Sequence, residues 1–295
     1  MEEFYLELKR KYNYSDDLIA FLKRAVPAII TYYGTDKKDI IYKTLINYEI
    51  HIQECEEDMS EYLNNYFNTN KTWNFPSLAG GFEKTKLMKK DNKIYSKSII
   101  YIITKRFRKI YRPFDFSNDS DISGLIHEMC HAIKEYGKIY ESGNKVIIKS
   151  GLISSEFIYN ETTKEFECIN ERNFGIEEAL NSFDEAEIMT ILTGVPHESS
   201  SYVGMANTIS YLMKNEKLAE VIRTSQFTGG DEWIEFLGKE KSDLLIENFD
   251  ICLDILQRPI SELTNESLGL MEQMNEAYSK IGDFIKSYCS ESPKK

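Results

Sequence analysis

The chain has 295 residues and a mass of 34.4 kDa, enough for one large domain or two small ones. Its 42% hydrophobic and 28% charged residues, with six prolines and fifteen glycines, exclude wholesale disorder, a collagen-like chain and low-complexity linkers. A net charge of -12 argues against nonspecific binding to nucleic acid or anionic lipid, and the longest uncharged run, residues 199–213, is too short and too polar to span a bilayer.

The N-terminal stretch MEEFYLELKRKYNYSDD alternates charges and has no apolar signal core, which points to a cytoplasmic protein. The five cysteines, at 55, 130, 168, 252 and 289, are odd in number and scattered, so reduced thiols are expected. The first eighty residues read mainly as helix. Residues 16–33 are apolar at helical spacing, with Pro27 expected to kink or split them. The pattern resumes over 39–67 and puts His51 on a helix, where a lone histidine reads as structural. Residues 72–81 (TWNFPSLAGG) are a loop by their Pro and Gly content.

The period then changes. Residues 81–88 and 94–104 are β-branched and aromatic, and the link 89–92 suggests a hairpin. From Lys84 to Arg112 there are eleven Lys or Arg against one acid, Asp91. That cluster fits a solvated hairpin guarded by lysines, or a surface preferring acidic substrates. Phe107 and Tyr111 would also suit nucleic acid, but the acidic remainder of the chain argues against it. A loop with an N-cap at 117–120 leads into a helix over 121–136 that stops at Gly137. Residues 145–152 form a strand, and 156–159 and 165–169 a hairpin across 160–163. A helix opens at Gly175, runs to Thr193 and is broken by Gly194 and Pro196. Residues 202–213 and everything from Lys217 onward are helical, with breaks at Gly229-Gly230, Gly238 and Pro259. The expected fold is α+β and mostly helical, a small antiparallel sheet lying beside the 121–136 helix between helical N- and C-terminal parts. The parts run 1–80, 81–215 and 216–295, within one compact unit.

The 121–136 helix carries His127-Glu128-Met129-Cys130-His131, an HExxH motif. A spacing of four sets both imidazoles on one face, one turn apart, where they can share a metal ion. Glu128 projects toward the same side and can take a proton from a water held by the metal. Ile122, Leu125, Ile126, Met129 and Ile133 form an apolar stripe on the other side, with Cys130 in the core and Lys134 and Glu135 where the helix emerges. Only four histidines occur, His51, His127, His131 and His197, so half of them fall in one turn. Hydrolytic zinc needs three protein ligands and an open position. No third histidine stands at either of the common downstream spacings, where the chain has Glu135 and Gly137. A glutamate on a second helix is the remaining common solution, and Glu177, Glu178 and Glu135 are the acids to weigh.

Over residues 125–184 the chain resembles the gluzincin group of zinc metallopeptidases, in which an HExxH helix is followed by a helix bearing a glutamate ligand. Gly175-Ile176-Glu177-Glu178-Ala179-Leu180 is similar to the second-helix pattern, with Glu177 in place of its asparagine. The resemblance implies Zn2+ held by His127, His131 and Glu178, Glu128 as general base, and a peptide or protein substrate. It also implies a transition-state donor from beyond the third ligand, for which Tyr202 is the choice and His197 and Tyr211 compete. The strand before the HExxH helix, 94–104 or 81–88, would align an extended peptide along its edge. Ser182 departs from the pattern, since some members have an aspartate there that orients a metal-bound histidine; Asp184 and Glu185 are the nearby acids. The expected function is zinc-dependent peptide-bond hydrolysis. The alternative is a non-catalytic metal-binding or regulatory protein on the same frame, holding a protein or peptide partner.

Overall fold

In the computed structural model of the chain, residues 2–53, 56–69, 81–90, 93–103, 113–134, 138–142, 145–199, 201–258 and 267–291 are described, and they divide into two units. The first comprises Met1–Ile133 and Asp184–Ser201, the second Lys134–Phe183 and Tyr202–Lys295. The 72–80 loop, the turn residues Asp91 and Asn92, the basic segment 104–112, Glu135, Gly137 and Pro259 lie outside the described residues.

The first unit begins with helices α1 (Glu2–Tyr12), α2 (Asp16–Tyr33) and α3 (Lys38–Asn47). The Ser15 hydroxyl caps α2 by accepting from the Leu18 N–H at 3.2 Å. Pro27 sits inside a single helix rather than dividing it, because Leu22, Val26 and Ile29 on either side are buried in the core and hold the segment together. Residues 49–53 (EIHIQ) correct the sequence reading: they form strand β1 (Glu49–Gln53), so His51 lies on a strand. Ile50 and Ile52 alternate as a strand requires, and the partner that makes them one is distant in sequence. Strand β1 runs parallel to β3 (Lys93–Ile103), with Glu49 opposite Ile99 and Gln53 opposite Ile103. Helix α4 (Glu56–Phe67) follows β1, and β2 (Gly81–Lys90) pairs antiparallel with β3 in the expected hairpin.

The sheet order is β1-β3-β2, which places β3 in the middle. Ile100 and Ile102 pack in the main core, while Ile99, Tyr101 and Ile103 pack against Met59, Leu63 and Phe67 of α4. Burial on both faces explains the unbroken β-branched run. It also excludes β3 as an edge for a peptide, leaving β2 as the outer strand of that hairpin.

The second unit holds a four-stranded antiparallel meander, β4 (Lys138–Ser142), β5 (Lys145–Ser150), β6 (Ile153–Asn160) and β7 (Glu165–Arg172), in sequential order. Among the described residues the sheet component is therefore two sheets, one mixed and one antiparallel, in a mostly helical α+β chain. Strand β4 has no counterpart in the sequence reading. The β6–β7 turn is built as expected: the Asn160 side chain accepts from the N–H groups of Thr162 and Thr163 at 2.9 and 3.2 Å. Helix α6 (Phe174–Thr193) follows, and the division between units falls within it, after Phe183. Helices α7 (Val203–Met213), α8 (Glu216–Thr228), α9 (Glu232–Leu237), α10 (Lys239–Gln257) and α11 (Ser267–Glu291) complete the unit. Gly229, at φ +64°, ends α8 in the left-handed conformation. Ile176, Leu180, Ile209, Trp233, Phe249 and Ile281 form the centre of its core. Cys130 and Cys252 are buried and Cys168 is exposed, and among the described residues no helix is long and apolar enough to cross a membrane.

Candidate metal centre

Helix α5 (Asp119–Lys134) starts two residues earlier than the pattern suggests, because Asn118 is its cap. The Asn118 side-chain oxygen accepts from the N–H groups of Ser120 and Asp121 at 3.1 and 3.2 Å. Ile122, Leu125, Ile126, Met129 and Ile133 are buried in the first unit's core, and Cys130 joins them at 0% exposure. That packing fixes the rotation of the helix and hence the direction of its histidines.

His127 and His131 meet through their Nε2 atoms, 3.3 Å apart. Two imidazole nitrogens held tetrahedrally about 2.0–2.1 Å from one zinc ion would stand about 3.3–3.4 Å apart. One ligand atom from each of His127, His131 and Glu178 lies within 4.8 Å of the others, and the three together could hold a metal ion. All are shielded from solvent, at 4%, 9% and 6% exposure. Glu128, beside His127 on α5, is buried as well.

The other nitrogen of His127 faces a carboxylate. Its Nδ1 is 3.5 Å from Oε2 of Glu185, which is fully buried on α6. The hydroxyl of Ser199 donates to Oε2 of Glu185 at 2.8 Å, and that of Ser123 donates to Oε1. Ser182, at the position that departs from the family pattern, is fully buried with no hydrogen-bond partner for its hydroxyl among the described residues. Asp184 turns away to another task, accepting from the hydroxyls of Tyr32 and Tyr33 at 2.8 and 2.6 Å.

Glu177 is not a member of the His-His-Glu cluster. Its Oε1 lies 3.0 Å from the Lys134 ammonium and accepts from Gln226 Nε2 at 2.9 Å, while Oε2 accepts from the Leu152 N–H at 2.9 Å. Lys134 also donates to Asn181. The expectation that Lys134 emerges into solvent is wrong: it is 1% exposed, because Glu177 and Asn181 supply the partners that a buried ammonium needs. Two glycines make this corner. Gly151 (φ +55°) donates its N–H to the Lys134 carbonyl at 3.0 Å, and a Cβ there would sit 2.6 Å from the Glu177 carboxyl carbon. Gly175 donates to Asp250 at 2.7 Å, and a Cβ would strike the Phe249 backbone at 2.4 Å, so α6 starts hard against α10. These contacts fix the first turn of α6, from which Glu178 projects.

The three candidate donors differ in setting. The Tyr202 hydroxyl accepts from Gln257 Nε2 at 3.2 Å, and its ring packs against the second unit's core. His197 is held locally, its Nδ1 2.6 Å from the Glu198 carbonyl and its N–H donating to Thr190 at 3.0 Å. Tyr211 is 54% exposed on α7. His51 sits in a structural setting: its ring stacks on Tyr62 with centroids 3.4 Å apart, and burial pushes its pKa down to about 4. Sequence reasoning missed the roles of Glu185, Ser123 and Ser199, whose only signal was the helical spacing of 178, 182 and 185 along one face of α6. Compared with known proteins, the chain matches no protein-family model, and no curated protein and no solved structure is significantly similar to it.

Proposed function

We propose that the protein is a zinc-dependent metallopeptidase of gluzincin type. The observation that carries the reading is the 3.3 Å approach of the two Nε2 atoms on an HExxH helix, with a Glu178 oxygen gathered to the same point. Two imidazoles and one carboxylate are the donor set of hydrolytic zinc, whose fourth position stays open. When bound, zinc supplies the Lewis acidity that makes a water nucleophilic near neutral pH and polarises a carbonyl. His127, His131 and Glu178 would hold the ion. Glu128 takes the proton of the attacking water and returns it to the leaving amine. Tyr202 donates to the oxygen on which negative charge develops, and the outer edge of β2 aligns the peptide.

Elemental analysis of the purified chain tests the metal, with about one zinc per chain expected and loss of it in His131→Ala. Glu128→Ala should keep the zinc and lower cleavage of a quenched-fluorescence peptide library by about 10²–10⁴-fold. A wild-type chain without zinc overturns the reading. Zinc retained by a wild-type chain that cleaves no peptide points instead to the non-catalytic, partner-binding alternative.

A further inference from the structure

We infer that Glu185 is the positioning residue of this site, setting the tautomer and ring orientation of His127 from a helix position different from the one the family pattern uses. The inference rests on the metal reading above and concerns how the first ligand is made ready.

An imidazole offers a lone pair to a metal through one nitrogen only when the proton resides on the other. In His127 the nitrogen turned toward His131 is Nε2, so binding a metal there requires the proton on Nδ1. A carboxylate at Nδ1 favours that arrangement electrostatically and raises the basicity of Nε2. Glu185 supplies it, with Oε2 3.5 Å from Nδ1 and both side chains within 5% of full burial. Low local polarity strengthens the effect, since few water molecules compete for the carboxylate.

The carboxylate is itself fixed. Ser123, one turn before His127 on α5, holds Oε1, and Ser199, beyond the end of α6, holds Oε2 at 2.8 Å. Each oxygen therefore accepts from a hydroxyl, which helps to satisfy the buried charge. Residues 178, 182 and 185 follow a four-then-three spacing along one side of α6, so ligand, departure and replacement share a face. Position 182 carries a hydroxyl rather than a carboxylate. A glutamate one turn further on, with a longer side chain, does the same task.

Two measurements on the full-length chain test this. In long-range proton–nitrogen NMR spectra of the metal-free wild type labelled at histidine nitrogens, His127 should be the Nδ1–H tautomer, and Glu185→Ala should shift it toward Nε2–H. In chelator competition with zinc as the probe, Glu185→Ala should weaken binding by about 10- to 100-fold although all three ligands remain. Glu185→Gln keeps an acceptor oxygen without the charge; it should preserve the Nδ1–H tautomer and lose about 10-fold in affinity, and it serves if the alanine variant does not fold. An Nε2–H tautomer in the wild type overturns the inference, as does zinc affinity within twofold of wild type in either variant. A wild type that takes up no zinc sinks the metallopeptidase reading instead, and the His127 tautomer still decides whether Glu185 sets it.

Discussion

Helix α6 begins with one adjacent pair of acids, Glu177 and Glu178, and carries a second adjacent pair further along, Asp184 and Glu185. Neighbours in a helix point about 100° apart, so an adjacent pair cannot serve the same face. In both pairs one acid serves the fold and the other turns to a histidine. Glu177 closes on Lys134, Gln226 and the Leu152 N–H, whereas Glu178 joins the histidine cluster. Asp184 takes the hydroxyls of Tyr32 and Tyr33, whereas Glu185 faces Nδ1 of His127. The difference lies in what meets the structural acid. Glu177 is met by a cation and Asp184 by neutral phenols, and buried groups of those two kinds differ sharply in what their loss leaves behind.

The largest effect should come from the charged pair. Glu177→Gln removes the carboxylate 3.0 Å from the Lys134 ammonium, which is 1% exposed, and urea denaturation should record a loss of roughly 3–5 kcal/mol. Replacing both partners with methionine should recover most of it. Stability of the single variant within 1 kcal/mol of wild type would break the comparison. His51 supplies a control for burial without either acid pair. Its folded pKa of about 4 lies below the ordinary 6.5, so between those values the unfolded chain takes up a proton that the folded chain refuses. The stability it contributes is therefore present above pH 6.5 and lost as pH falls toward 4, by an amount on the order of 2–3 kcal/mol. His51→Phe keeps the stack on Tyr62 and should flatten that part of the pH profile. Next comes Asp184→Asn, which leaves two hydroxyls with poorer partners at a cost of about 1–3 kcal/mol. Zinc stoichiometry should not change in that variant, because Asp184 is not a member of the His-His-Glu cluster.

Much of the site was legible because it is local. The four-residue spacing of His127 and His131 and the apolar stripe of Ile122, Leu125, Ile126, Met129 and Ile133 are properties of one helix, and a 3.6-residue period reveals them. The β2–β3 hairpin was legible for the same reason, with its β-branched runs close in sequence. Strand β1 was not. Its two isoleucines fit a helix or a strand, and parallel pairing with residues fifty positions away decides the matter. Lys134 misled because lysine at a helix end usually reaches water, and the later Glu177 and Asn181 help make its burial tolerable. The role of Glu185 was hidden because it depends on Ser199 beyond the helix end and on side-chain directions that spacing alone does not select.

The smallest change in stability should accompany the clearest change in chemistry, at Glu178. The comparison requires Glu178→Gln to leave the metal-free chain within roughly 1 kcal/mol of wild type, since acids gathered for function tend to be neutral or costly to the fold. Zinc at about a hundred times its dissociation constant should stabilise the wild type by about 2.7 kcal/mol and raise its melting temperature, and it should do neither for Glu178→Gln. The neighbouring Glu177→Gln should behave oppositely, destabilised without metal yet still stabilised by zinc. If Glu178→Gln instead unfolds as readily as Glu177→Gln and responds to zinc as the wild type does, Glu178 belongs to the fold and the third ligand must be sought elsewhere. Adjacent residues in one helical turn thus give two variants with matched chemistry, so a difference between them reports the direction each side chain faces rather than the generic cost of removing a buried charge.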